Sequence, residues 1–154
     1  MYKRMEKVDY YLEIAKVVAK RGTCIRRNYG AVLVKDDEII ATGYTGAPRG
    51  AVNCCDEGVC ERERLGCKPG ERYELCKSVH AEQNCLISAS RKEALGSTLY
   101  LAGFDAKTGE LITATPCLLC SRMLKNAGVV GYYGTLSEGD AKESDSAYSY
   151  HNIG

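Results

Sequence analysis

Apolar residues recur at helical spacing near the start of the chain. Val8, Tyr11, Leu12, Ala15, Val18 and Ala19 predict a helix from about Val8 to Lys20, closed by Gly22. The period then changes. Ala31-Val32-Leu33-Val34 is an unbroken apolar run, the mark of a short strand covered on both faces. Asp36-Asp37 turns the chain into a second strand, Glu38 to Thr42, and Gly43 to Gly50, with Pro48, reads as a loop. Residues 51–78 show little periodicity of either kind. A helix is expected from near His80 to about Lys92, a third strand over Ser97 to Ala102, a helix over Cys117 to Asn126 stopped at Gly128, and a fourth strand over Val129 to Tyr133. Phe104 to Thr115, centred on Lys107-Thr108-Gly109, predicts a small inserted hairpin. The stretch after Gly134 mixes Ser, Gly and acidic residues with scattered tyrosines and assigns itself to no element.

Helix, hairpin, helix, strand, helix, strand is the order of an α/β layered domain. Strands three and four, joined through a helix, should run parallel with a right-handed crossover. The 154 residues are expected to form one domain, with a Cys-rich segment at about 51–78 and a short C-terminal tail from about 134.

Composition narrows the functional classes. With 45% hydrophobic and 27% charged residues the chain is ordinary for a globular protein, and no run approaches the roughly 20 apolar residues of a membrane span. A net charge of +1 gives no strong field to attract nucleic acid or an anionic membrane. Met1 to Asp9 alternates Lys and Glu without an apolar core, so secretion is not expected and the cytoplasm is the expected location. Nine cysteines in that setting point to metal rather than disulfides.

The chemistry is concentrated in two short pieces, His80-Ala81-Glu82 and Pro116-Cys117-Leu118-Leu119-Cys120. One imidazole and two thiolates supply three ligands for a tetrahedral Zn²⁺ and leave the fourth position for water. Both pieces fall at expected helix starts, where the backbone N–H groups favour the ionised, ligating thiolate. The i, i+3 spacing of Cys117 and Cys120 turns both sulfurs to one side. Glu82 stands two residues past the histidine, placed to carry a proton without binding the metal. A Cys-x-x-Cys alone serves equally as half of a structural zinc knuckle, with His80 a core histidine. The proline before Cys117 and the glutamate after His80 favour a catalytic centre, because this combination is the signature of zinc-dependent nucleobase deaminases.

At this point the chain resembles the deoxycytidylate (dCMP) deaminase family within the cytidine deaminase-like superfamily. The resemblance is carried by residues 23–27, 29–34 and 41–48, by His80 to Asn84, and by Pro116 to Cys120 with Asn126-Ala127-Gly128. It implies a three-layer α-β-α sandwich with a central mixed sheet and hydrolysis of dCMP to dUMP and ammonia. It also implies a homo-oligomer, often a hexamer, with regulation by the triphosphates dCTP and dTTP. Two departures stand out. Thr45 occupies a position that is usually Asn in the family, and the insert from Gly103 to Thr115 replaces a shorter link.

The resemblance also places Cys24, Cys54, Cys60 and Cys76 where relatives carry the ligands of a second, structural zinc. A closed four-thiolate site would supply the folding free energy that so polar a segment as 51–78 cannot draw from hydrophobic burial. Cys55 and Cys67 are neighbouring alternatives, while Cys85, inside a helix, is most simply a small core residue. The expected zinc content is therefore one catalytic and one structural ion. Arg26, Arg27 and Arg49 flank the matched loops and suit a phosphate. Thr45, Ala81 and Pro116 complete the expected substrate contacts, and His151 is expected to be exposed.

Two other readings remain open here. One is a deaminase of another base or of a polynucleotide, such as a tRNA adenosine. No Trp, a single Phe and a net charge near zero argue against an unstacked strand as substrate, although eleven tyrosines speak for it. The other is a non-catalytic, zinc-stabilised nucleotide-binding regulator, which would gain nothing from Glu82 beside its metal.

Overall fold

The computed structural model describes residues 1–154. A helix, α1 (Lys7–Ala19), leads into the hairpin β1 (Arg27–Lys35) and β2 (Glu38–Tyr44). The Cys-rich segment contributes only the four-residue helices α2 (Cys54–Glu57) and α3 (Glu61–Arg64) and a 3₁₀ turn at Tyr73–Leu75. Next come α4 (Ala81–Ile87), α5 (Arg91–Ala94), β3 (Thr98–Asp105) and β4 (Leu111–Ile112). The chain closes with α6 (Leu118–Ala127), β5 (Gly131–Thr135), α7 (Glu138–Ser144) and β6 (Tyr148–Asn152).

The strands make one mixed sheet in the order β2-β1-β3-β5-β6, with β4 paired to the end of β3. β3 and β5 run parallel, as the intervening helix requires, and every other pair is antiparallel. Alternation along the central strands divides the core in two. Ala31, Leu33, Leu99, Leu101 and Tyr132 face α4 and α6 and pack with Ala81, Cys85 and Leu124. Val32, Val34, Tyr100 and Ala102 face the other way, onto Tyr11, Leu12 and Ala15 of α1. These are the three layers anticipated from the sequence, with α1 on one face and the helices bearing the His80 and Cys117 motifs on the other.

Three expectations are corrected. The helix expected to run from His80 to about Lys92 is two helices, because Ser90 caps a new one: its Oγ accepts from Glu93 N–H at 3.1 Å and its own N–H donates to Glu93 Oε1 at 2.9 Å. β1 begins at Arg27 rather than Ala31. Its polar first turn pairs with β3, Arg27 opposite Asp105 and Tyr29 opposite Gly103. The stretch after Gly134 is ordered structure: β6 lies antiparallel on β5 and seats Tyr148 and Tyr150 against Tyr133, with His151 stacked on Tyr132. The inserted hairpin is as expected, β4 folding back on Gly103 and Phe104.

Two features set the helix that positions the site. Asn84 donates from Nδ2 to Tyr44 O at 2.8 Å, fastening α4 to the end of β2. At Gly43 of β2 the two backbones nearly touch: a Cβ there would lie 2.3 Å from Cys85 N and 2.5 Å from Ala81 O. No helix is long and apolar enough to cross a membrane.

Candidate metal centre and active site

His80 and Cys117 are the N-cap residues of α4 and α6. Gln83 Oε1 accepts the His80 N–H at 2.9 Å, and Cys117 Sγ accepts the Cys120 N–H at 3.4 Å, so each helix start is closed by the motif itself. α4 and α6 lie side by side on the sheet. Their N-termini bring His80 Nδ1 to 3.6 Å from Cys117 Sγ and 3.3 Å from Cys120 Sγ. All three ligand atoms lie within 4.8 Å of one another, and no other set of three His, Cys, Asp or Glu side chains in the chain converges in this way. One imidazole nitrogen and two sulfurs at this separation fit a tetrahedral zinc ion.

The electrostatics agree with that donor set. Hydrogen bonds from the Cys120 thiol and the His80 imidazole hold the Cys117 thiol far below its ordinary value, at about 4, against the opposing effect of burial. Cys120, donating to that thiolate and buried behind it, is pushed up. Two thiolates this close repel, and a divalent cation between them removes the repulsion. Glu82 is 5% exposed, and burial pushes its carboxyl up from the ordinary carboxylate range. A carboxyl can take and return a proton, and burial here favours its protonated form.

One cavity is lined by His80, Glu82, Cys117, Thr45, Tyr29 and Thr115. Thr45 is buried, and its hydroxyl accepts the Tyr29 N–H at 3.1 Å, so the side chain is tied to β1 as well as facing the cavity. Arg26 and Arg27 reach the cavity wall, Arg26 with its Nε 3.3 Å from Glu63 Oε2. Arg49 is exposed and does not border the cavity. Ala81 and Pro116 are buried and do not border it either. Arg62 and Tyr73, not singled out from sequence, both line it. Nothing local marks either residue, since their surroundings have no period and what distinguishes them is their packing on each other and, for Tyr73, on His80.

Cys24, Cys54, Cys60 and Cys76 are neighbours: the other three all raise the Cys54 thiol electrostatically, after the larger effect of burial. No three of their sulfurs close to within 4.8 Å of each other, and all four thiols are free. The hydroxyls of Thr23 and Ser78 beside them are buried without a partner, and the Arg26 N–H donates to Cys24 Sγ at 3.4 Å. A soft-ligand cation suits that group of thiols and would close it further.

Removing one of the two α6 sulfurs tests the donor set directly. Cys117→Ser is expected to lower zinc affinity by at least about 100-fold, read by chelator competition, because a hydroxyl is a poor substitute for thiolate. Parent affinity in that variant would place the metal elsewhere.

Comparison with known proteins follows the same residues. Residues 5–133 match the model of the cytidine and deoxycytidylate deaminase zinc-binding region. The chain is 38% identical over 121 residues to the deoxycytidylate deaminase of Schizosaccharomyces pombe, a match covering 79% of this chain and 34% of that one. It is 36% identical over 126 residues to the deoxycytidylate deaminase of Mycobacterium phage D29, covering 79% of this chain and 88% of the phage protein. It therefore spans about a third of the yeast relative and most of the phage one. Among solved structures, dCMP deaminase from the cyanophage S-TIM5 in complex with dCMP and dUMP aligns with a TM-score of 0.58 and 30% identity, over 83% of this chain and 79% of that chain.

Proposed function

The chain belongs to the cytidine and deoxycytidylate deaminase family, and from that premise we propose that it hydrolyses dCMP to dUMP and ammonia with zinc held by His80, Cys117 and Cys120. The observation that carries this reading is the convergence of those three donors within 4.8 Å on a cavity that also holds the buried Glu82 carboxyl. The relatives named for deoxycytidylate, and the cyanophage enzyme holding dCMP and dUMP, support the choice of nucleotide.

Zinc in that position supplies a Lewis acid that makes water acidic at neutral pH. Glu82 handles the protons. Its carboxylate accepts one from the attacking water as oxygen adds to the amino-bearing ring carbon. It gives that proton to the adjacent ring nitrogen, then takes the remaining proton from the added hydroxyl and delivers it to the amine as the carbon–nitrogen bond breaks and ammonia leaves. Burial of Glu82 keeps bulk water from competing for those protons. Arg26 and Arg27, on the cavity wall, supply cationic donors for the 5′-phosphate, and Thr45 and Tyr29 fix the wall beneath the sugar.

The Cys24, Cys54, Cys60 and Cys76 group takes a second, structural zinc that fixes the segment around it. The protein works in the reducing cytoplasm as a homo-oligomer. That assembly is supported by the exposed apolar residues Ile87 of α4 and Leu118, Leu119 and Met123 of α6. Regulation by dCTP and dTTP accompanies the family resemblance.

A substrate panel tests the reading. Purified protein incubated with dCMP, CMP, dCTP, deoxycytidine, guanine and single-stranded oligonucleotides should release ammonia fastest from dCMP and none from the oligonucleotides. Turnover confined to an oligonucleotide or a purine would overturn the substrate assignment.

A further inference from the structure

A metal-ligating histidine is ordinarily oriented by a hydrogen bond from its second ring nitrogen to a carboxylate or carbonyl. Here the His80 ring faces the two sulfurs through Nδ1, and no protein acceptor stands at its other nitrogen. What meets the ring instead is Tyr73, edge to face, with centroids 5.3 Å apart and an interplanar angle of 89°. Tyr73 is in turn gripped on its face by Arg62, whose guanidinium carbon lies 4.7 Å from the ring centroid.

Arg62 is an unusual residue to find there. It is only 7% exposed, and no carboxylate pairs with it. Its guanidinium is fixed by backbone alone: Nε donates to Glu71 O at 2.8 Å and Nη2 to Lys68 O at 2.9 Å. A buried guanidinium with two such anchors is a rigid plate rather than a mobile surface charge. Edge-to-face aromatic contacts and cation–π contacts both have preferred geometries. A fixed plate therefore sets the Tyr73 plane, and Tyr73 sets the His80 plane.

We propose that Arg62 and Tyr73 form a positioning clamp that fixes the plane of the His80 imidazole, so that the Cys-rich segment governs how firmly the neighbouring site holds its metal. This rests on His80 being a zinc ligand, as proposed above. Neither clamp residue takes part in bond making. The clamp replaces the missing hydrogen bond to the ring. It also gives segment 51–78, far from the sheet in sequence pattern, a part in the chemistry.

The test uses the zinc-loaded protein and follows the ring resonances of His80, which are readily assigned because His151 is the only other histidine. Tyr73→Met fills the space without an aromatic edge, while Tyr73→Phe keeps the edge. In Tyr73→Met, loss of metal from His80 to a competing chelator should be about tenfold faster, and kcat about tenfold lower at unchanged KM. Tyr73→Phe should match the parent in both. Parent release rates and kcat in Tyr73→Met, or a change in KM alone, would overturn the clamp; the latter would make Tyr73 a substrate contact. Should Tyr73→Met fail to fold, the unsubstituted protein still decides: cross-relaxation between the Tyr73 and His80 rings in the zinc-loaded form is required, and its absence overturns the proposal. Metal release needs no substrate, so a protein that binds zinc but does not deaminate dCMP would refute the proposed activity while leaving the clamp open to measurement. His80 resonances indifferent to zinc would overturn both.

Discussion

Glu82→Gln is expected to lower kcat for dCMP deamination about a thousandfold or more while the protein keeps its zinc. The substitution is isosteric, so the 5% exposed side chain leaves no cavity and displaces neither helix. What changes is proton chemistry. Burial displaces the carboxyl upwards and so favours its protonated form, whereas an amide can neither accept nor release a proton at any working pH. The three proposed metal donors, His80, Cys117 and Cys120, are untouched, so zinc content should equal that of the parent. Ammonia release and metal analysis on the same sample check both halves. A kcat within tenfold of the parent would remove Glu82 from the proton path.

Gly43→Ala should be strongly damaging although it lies outside the metal centre. An alanine Cβ would sit 2.3 Å from Cys85 N, 2.5 Å from Ala81 O and 2.9 Å from Asn84 C, all of them backbone atoms of α4. Backbone in a packed helix cannot step aside as a flexible side chain can, so α4 must move off the sheet by about 1 Å. Overpacking of this kind costs about 1–3 kcal/mol of stability, measurable as a lower urea midpoint. The greater effect is on function, because α4 carries His80 at its N-cap and Glu82 in its first turn. Misplacement of catalytic groups by about 1 Å can cost about 100-fold in rate. A Gly43→Ala protein with the parent's kcat and midpoint would show that β2 and α4 do not hold the centre as described.

The parts of this molecule visible in the sequence are those whose physics is local. The His80 and Cys117 motifs were readable because ligand spacing along the chain is also ligand spacing at a helix start. The paired apolar strands were readable because burial on both faces leaves no polar alternation. The parallel pairing of β3 and β5 follows from the helix between them. Other features depend on partners distant in sequence. β6 looks like tail because it alternates Tyr148 and Tyr150 with Ser149 and His151, and its tyrosines find their apolar surroundings only against Tyr133 on β5. The polar start of β1 becomes strand only because β3 pairs with it. The division of α4 from α5 was written in Ser90-x-x-Glu93, a capping box hidden within an otherwise helical run. Arg62 and Tyr73 had no sequence signal, since what distinguishes them is burial and mutual contact in a segment without period.

The most direct test of the metal-and-carboxylate account is to strip the protein of metal, return zinc stepwise and record ammonia release from dCMP. Activity should vanish on stripping and return as zinc refills the site in the parent protein, while Glu82→Gln takes up the same zinc and stays silent. Deamination persisting in the stripped protein, or returning equally in Glu82→Gln, would contradict the account.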